Sequence, residues 1–328
     1  MTSAVVVDTD TGIDDAVALA LAARLPALDV VAVTTCHGNT DVARATRNAR
    51  EVARRVGLAS PITAGAAAPL RRAAHPARET HGDEGLGHWI PDNAAHPEGD
   101  HAAAVIAEAA LAHHRVTLIC LGPLTNLARA LMEFDHVAPS LGPVFIMGGT
   151  IAVRGTQTRW SEFNWWGDPE AVEVVLTAGL DIRLVPLDVT RRIVFPGDAV
   201  RALREAGETD EDARFWGDAL GFYMDFHKGY EGLDGCVIND PLAVALAADA
   251  SLASWREMRI GVSVSDDERR GAIILDDDAG ASARVATSVR AADVLDMITR
   301  QVFAPWLSID LVRQGAMAGE RWLAENPQ

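Results

Sequence analysis

Short runs of branched apolar residues alternate with longer, alanine-rich runs of helical period along most of this chain. The short runs predict buried strands at residues 4–7, 30–35, 61–64, 116–121, 144–147 and 182–186. The long runs predict helices at residues 14–25, 41–56, 101–114, 125–131 and 169–178. Strands joined by helix-length crossovers fold into a right-handed, largely parallel arrangement. The expected fold class is therefore α/β, an open, mostly parallel, Rossmann-like central sheet with helices on both faces. Residues from about 197 to 250 read as mostly helical, and 257–288 as short antiparallel strands with a charged turn at 265–270. A final helical region begins at Ala291. No linker, repeat or low-complexity tract breaks the series, so residues 1–328 read as a single domain.

The first predicted strand ends abruptly in four carboxylates, Asp8, Asp10, Asp14 and Asp15, and a helical pattern follows at once. This places several carboxylates at the carboxyl end of a parallel strand, where open α/β sheets bind ligands. Carboxylates packed so closely repel one another and resist burial. A hard divalent cation, Ca²⁺ or Mg²⁺, resolves that conflict. An EF-hand loop starting at Asp8 is excluded, because its sixth position is Ile13 and its twelfth is Leu19. A haloacid-dehalogenase-type phosphatase is excluded because Gly12 stands where Thr or Val is required. A solvated acidic turn accounts for one or two Asp residues, and poorly for four beside a buried strand.

Composition narrows the partners. The chain has 328 residues, 49% of them hydrophobic, which is ample for a large core. A formal charge of −17 argues against nucleic acid and anionic membrane as partners and favours a small neutral or cationic substrate. No segment is long and apolar enough to span a bilayer. A strand beginning within three residues of the start leaves no room for a signal peptide. Cys36, Cys120 and Cys236 are odd in number and widely spaced, and fit neither a zinc pattern nor a disulfide framework. They read as small buried apolar residues, and a cytoplasmic location is expected.

Other strand ends carry polar residues and glycine: Thr34 to Asn39, Leu121 to Asn126, and Met147 to Gly149. Each alone is ordinary turn chemistry; their recurrence is the signal. Glu162 and Asn164, one residue apart on an expected loop, can point together at a polyhydroxyl ligand, while Trp165 and Trp166 suggest that the loop is packed down. Asp168 before Pro169 reads as a helix N-cap. Asp240 before Pro241 reads either as another N-cap or as a distant metal ligand. His81 opens a glycine-rich stretch, either a lid with a polar tip or a solvated loop histidine.

Taken in order, DTDTGIDD, TTCHGN, HGDEGLG, LGPLTN, MGG, EFN with DPEA, and DP at 240–241 resemble the inosine–uridine nucleoside hydrolases over essentially the whole chain. The resemblance implies a metal-dependent N-ribohydrolase of nucleoside salvage that releases free base and ribose. It implies Ca²⁺ held by Asp10, Asp15, Asp240 and the Leu121 carbonyl, with Asp10 as general base toward a Ca²⁺-bound water. It implies ribose partners in Asp14, Asn39, Met147, Glu162 and Asn164, and His81 near the base or the 5′ end. Relatives assemble as homodimers or homotetramers, so the same is expected here.

Two positions depart from the family pattern. The His that serves as acid for the leaving base is Asn239 here, and asparagine cannot act as an acid. An Asn near the 5′-hydroxyl aligns with Thr156. Leaving-group activation then falls to Tyr223 or His227, to stacking by Trp160, Trp165 or Trp166, or to a base that departs unaided. For His227 an exposed position on its helix is an equal alternative, and for most of the tryptophans core packing is favoured. Asn239 also keeps two other functions in view: a hydrolase of a modified nucleoside, and a catalytically weakened nucleoside-binding protein.

Overall fold

The computed structural model describes residues 2–95, 99–276, 278 and 280–325. Among these, eleven strands form: β1 (Ser3–Thr9), β2 (Leu28–Thr35), β3 (Ile62–Ala64), β4 (Thr117–Cys120), β5 (Val144–Met147), β6 (Ile182–Val185), β7 (Val194–Pro196), β8 (Gly235–Val237), β9 (Ala253–Val262), β10 (Ile273–Leu275) and β11 (Ala281–Val289). The main sheet has the order β10-β9-β11-β6-β5-β4-β1-β2-β3. Strands β1 to β6 and β11 run parallel; β9 is antiparallel to both β10 and β11. Strands β4 and β5 are buried along their length on both faces, and β6 at all but Arg183, as helix-covered parallel strands should be.

The order β3-β2-β1-β4-β5-β6 reverses direction between β1 and β4. Connections leave those two neighbours toward opposite faces, which opens a crevice at their carboxyl ends. The acidic loop follows β1 and Leu121 follows β4, so the crevice is where the carboxylates stand.

Two helices complete the crevice. Helix Ile13–Arg24 is buried from Ile13 to Ala22, and helix Asp240–Ala248 from Asp240 to Leu246. Each is apolar nearly all round because each is packed on several sides, and they pack on one another. Their N-termini bring Asp14 and Asp15 beside Asp240, some 225 residues away in sequence. By contrast, helix Val42–Val56 keeps Ala45, Ala49 and Val52 inward and Arg50 and Arg54 outward, and stops at Gly57, whose φ of 72° suits glycine.

Two expectations need correction. β9 and β11 are ten and nine residues long and extend the main sheet, rather than forming short strands. The mostly helical stretch also contains β8, which pairs antiparallel with β7 just before that stretch in a ribbon of three-residue strands too short to display a period. The apolar C-terminal region, which sequence alone leaves open to assembly or core, places Ile298, Val302, Phe303 and Val312 in the main core.

Candidate active site

Asp15 is tied down from three sides. Its Oδ1 accepts from Thr9 Oγ1 at 2.5 Å, and its Oδ2 from Gly12 N at 2.9 Å and Asn39 Nδ2 at 2.8 Å. Asp10 Oδ2 accepts the Asn39 backbone N–H at 2.6 Å. Its Oδ1 is buried without a hydrogen-bond partner. Gly38 and Gly122 cradle this side chain: a Cβ on Gly38 would sit 1.9 Å from Asp10 Oδ2, and one on Gly122 2.8 Å from Oδ1. Asp14 Oδ2 accepts from Tyr223 Oη at 3.3 Å and from the backbone and side-chain nitrogens of Asn239 at 3.1 and 3.3 Å.

Electrostatics report the strain of this packing. Burial, then the charge of Asp15, holds the Asp10 carboxyl well above the usual range. Burial, then Asp14, pushes Asp15 up to about 6. Asp240 is also driven well up, by burial first and then by its three acidic neighbours. Asp14, Asp15 and Asp240 each place an oxygen within 4.8 Å of the others. This tightest trio includes Asp14, expected as a ribose partner, while Asp10 stands just beside it. The Leu121 carbonyl accepts Asn164 Nδ2 at 2.7 Å and keeps a second lone pair. An orphaned buried carboxylate oxygen, clustered acids and an adjoining carbonyl form an all-oxygen donor set, which fits a hard divalent cation.

Asp8 differs from the other acids. Its Oδ1 accepts from Thr34 Oγ1 and Asn126 Nδ2, bracing β1 to its neighbours, and burial pushes it up to about 6. A second brace runs from His37 Nε2 through Thr125 Oγ1 to Asp168 Oδ2, at 2.9 and 2.6 Å. Asp168 Oδ1 accepts from Ala171 N, so it is the N-cap its sequence indicated. Burial lowers His37 to about 4, which keeps it neutral.

Asp14 and Asp240 open into a cavity of about 560 Å³, which Asp10 and Asp15 do not line. Asn39, Met147, Glu162 and Asn164 line one end with Asp14 and Asp240; Tyr223, His227, Arg191, Glu231 and Trp322 line another part of its wall. Glu162 and Asn164 belong to a short helix rather than a loop. Glu162 caps helix Phe163–Gly167, its oxygens accepting from Asn164 N, Trp165 N and Gly149 N, and burial pushes it up to about 7. Thr156 Oγ1 accepts from Phe163 N at this rim.

His81 is buried at the end of helix Arg78–His81, not solvated on a mobile loop. Its Nδ1 accepts Ile13 N–H at 3.1 Å, so the neutral ring carries its proton on Nε2. Asn239, not Asp240, is the N-cap of the last acidic helix, and its Oδ1 accepts from Thr190 Oγ1 at 2.8 Å. His227 is buried rather than exposed. Its Nδ1 lies 2.8 Å from the Tyr223 carbonyl, which makes Nδ1 the protonated nitrogen, and burial lowers its pKa. Trp165 is fully buried in the core, and neither Trp160 nor Trp166 lines the cavity.

Arg191, Glu231 and Trp322 escaped sequence reasoning. Arg191 is the C-cap of the short helix Leu187–Thr190 that follows β6, and the strand-end pattern did not reach it. Trp322 carried no signal.

The family model described as inosine-uridine preferring nucleoside hydrolase matches residues 5–296. The chain is 34% identical over 244 residues to the probable uridine nucleosidase 2 of Oryza sativa subsp. japonica, covering 73% of this chain and 72% of the relative. It is 34% identical over 273 residues to the non-specific ribonucleoside hydrolase RihC of Shigella boydii serotype 18, covering 83% and 87%. Among solved structures, the plant nucleoside hydrolase PpNRh1 superposes with a TM-score of 0.86 at 29% identity, covering 93% of this chain and all of that one.

Proposed function

This chain belongs to the inosine-uridine preferring nucleoside hydrolase family, and on that premise we propose that Asp10 is its general base and that Ca²⁺ occupies the carboxylate crevice. The reaction is hydrolysis of a ribonucleoside to free base and ribose. The observation that carries the proposal is Asp10 Oδ1, a buried carboxylate oxygen with no protein partner amid three other acids.

Asp10, Asp15, Asp240 and the Leu121 carbonyl would hold the cation, with the unshared oxygen of Asp14 at its edge. When bound, the cation offsets the carboxylates' charge and acidifies a water.

The protein's own groups supply the rest. As the C1′–N bond lengthens, positive charge grows on the ribose, and buried carboxylates stabilise it where little water screens them. Asp10 Oδ2 is fixed by Asn39 N–H, which leaves Oδ1 aimed free to take a proton from the attacking water. Asn39, Asp14, Glu162 and Asn164 grip the sugar hydroxyls, while Met147 packs beside them, so binding energy is directed to the strained sugar. The Tyr223 hydroxyl, His81 Nε2–H and His227 face the base or the 5′ end. Asn239 positions Asp14 through two hydrogen bonds and supplies no proton.

The relatives named for uridine and for ribonucleosides in general support uridine as a substrate. A modified nucleoside is the second reading, favoured by Asn239. A homodimer or homotetramer in the cytoplasm completes the proposal. Three free buried cysteines support that location, and no helix among the described residues is long and apolar enough to cross a membrane.

The test is free-ribose release from a panel of purine, pyrimidine and modified ribosides, with Ca²⁺ or with chelator, beside Asp10→Ala. Turnover that needs both the cation and Asp10 supports the assignment. Turnover indifferent to chelator removes the cation from it, and a fully active Asp10→Ala removes the base.

A further inference from the structure

Arg191 is buried at 5% exposure in the wall of the substrate cavity. Its Nη1 donates to both oxygens of Glu231 at 2.7 Å, and its guanidinium lies 4.5 Å from the Trp322 ring centroid. Its Nε is buried with no hydrogen-bond partner. The preceding residue, Thr190, is the one that holds the Asn239 side chain. Arg191 and Asn239 line the same cavity, so a permanent cation faces the space in which the acid of the leaving base is missing.

Local sequence explains how Trp322 reaches it. Helix Gly315–Glu325 lies outside the span matched by the family model, which ends at residue 296. Gly315 and Gly319, four residues apart, share one helix face. A Cβ on Gly315 would meet the Val194 carbonyl at 1.8 Å, and one on Gly319 the Arg192 Cα at 2.7 Å. With only hydrogen there, the helix lies directly on the backbone of residues 192–194. Trp322, one turn beyond Gly319, then lands over Arg191 and packs with Val194, Leu233 and Val237. Arg192 pairs with Glu320 on the same helix.

We propose that Arg191, positioned by Glu231 and by Trp322 of the C-terminal helix, activates the leaving base in place of the acid that Asn239 cannot be. This rests on the hydrolase reaction, not on the choice of cation. When C1′–N breaks, the bonding pair stays on the base, which departs as an anion. In a base with ring carbonyls, such as uracil, that charge spreads onto oxygen, where a guanidinium N–H stabilises it. Water supplies hydroxide to C1′; its proton passes through Asp10 and solvent to the departed base. Riboside and water become ribose and neutral base. His227 lies close enough to feel this charge: burial first lowers its pKa, Glu231 opposes that, and Arg191 adds to the lowering.

The experiment compares uridine, whose base is a poor leaving group, with p-nitrophenyl riboside, whose phenolate leaves unaided. Arg191→Gln should lower kcat/KM for uridine by about a hundredfold, the loss typical of one transition-state donor, and leave p-nitrophenyl riboside nearly unchanged. Arg191→Lys should recover part of the uridine rate, and Trp322→Ala should show the same split more weakly while leaving Arg191 in place. Equal slowing of both substrates by Arg191→Gln and Trp322→Ala, or no slowing of uridine, overturns the assignment. Asp10→Asn separates the two readings, because it should slow both substrates alike. If it slows neither while the Arg191 split persists, the general-base reading falls and the Arg191 assignment stands.

Discussion

The two ends of the cavity are built differently. The end proposed for the sugar is made from strand tips and helix starts tied down by hydrogen bonds: Asp15 by Thr9, Gly12 and Asn39, Glu162 by three backbone N–H groups. The end proposed for the base is made from helix Glu211–Glu231, the end of helix Leu187–Thr190 and the C-terminal helix, with His81 against it, and many of its contacts are aromatic. His81 and Tyr223 lie 5.3 Å apart, Tyr223 and His227 4.5 Å, and Phe226 and Tyr230 4.7 Å. A rigid, cross-braced end suits a sugar that is the same in every substrate. A packed aromatic end can change residue by residue without disturbing the carboxylates. The lesson is that chemistry and specificity are carried by separately supported parts of one cavity.

That division is open to measurement. The largest expected effect is on the sugar itself. A buried site built to hydrogen-bond a hydroxyl rejects the analogue lacking it, so 2′-deoxyuridine should be turned over about ten-thousandfold less efficiently than uridine. Comparable kcat/KM values for the two would break the sugar-end model. Next, Asp10→Asn should reduce kcat by about a thousandfold for every riboside, whatever its base. A loss confined to one class of base would place Asp10 at the wrong end.

At the base end the effects should be smaller and uneven. Tyr223→Phe removes the hydroxyl that donates to Asp14 and should lower uridine turnover by about tenfold, the worth of one ordinary hydrogen bond. His227→Ala should change the ranking of bases more than the rate on p-nitrophenyl riboside. Equal effects on all substrates in steady-state assays would move either residue to the sugar end.

The smallest effect is on stability. Burial pushes Glu162 from an ordinary 4.5 up to about 7. Between those values the unfolded chain releases a proton that the folded one keeps, so this group's contribution to stability falls as pH rises through that window. Melting curves recorded without divalent cation should therefore decline less between pH 4.5 and 7 for Glu162→Gln than for the wild type. Parallel curves would mean that Glu162 is not the buried acid its surroundings indicate.

Much of the sugar end was legible beforehand because its residues sit where pattern and punctuation meet. Asp10, Asp14 and Asp15 follow a run of valines, Asn39 closes the next strand, and Asp168 before Pro169 announced its cap. Less legible was anything that depends on which side of a helix faces inward. His227 read equally well as exposed or functional, and only the packing of its helix buried it. His81 read as a loop residue because its stretch is rich in glycine, yet a hydrogen bond to Ile13 holds it in the site. Glu162 read as a sugar ligand on a loop, and its role as a helix cap depends on Gly149 being beside it.

By itself, the sequence determined the alternation of strand and helix, the acidic loop at the first strand end and the loss of the family's acid at Asn239. These are local matters, set by period, turn chemistry and residue type. Tertiary structure alone decided that Asp14, rather than Asp10, completes the tightest trio with Asp15 and Asp240, that β9 and β11 extend the main sheet, and that Trp322 lies over Arg191. Each joins residues far apart in the chain. What brings them together is the burial of two apolar helices against one another and the close approach that two glycines permit, and no local pattern encodes either contact.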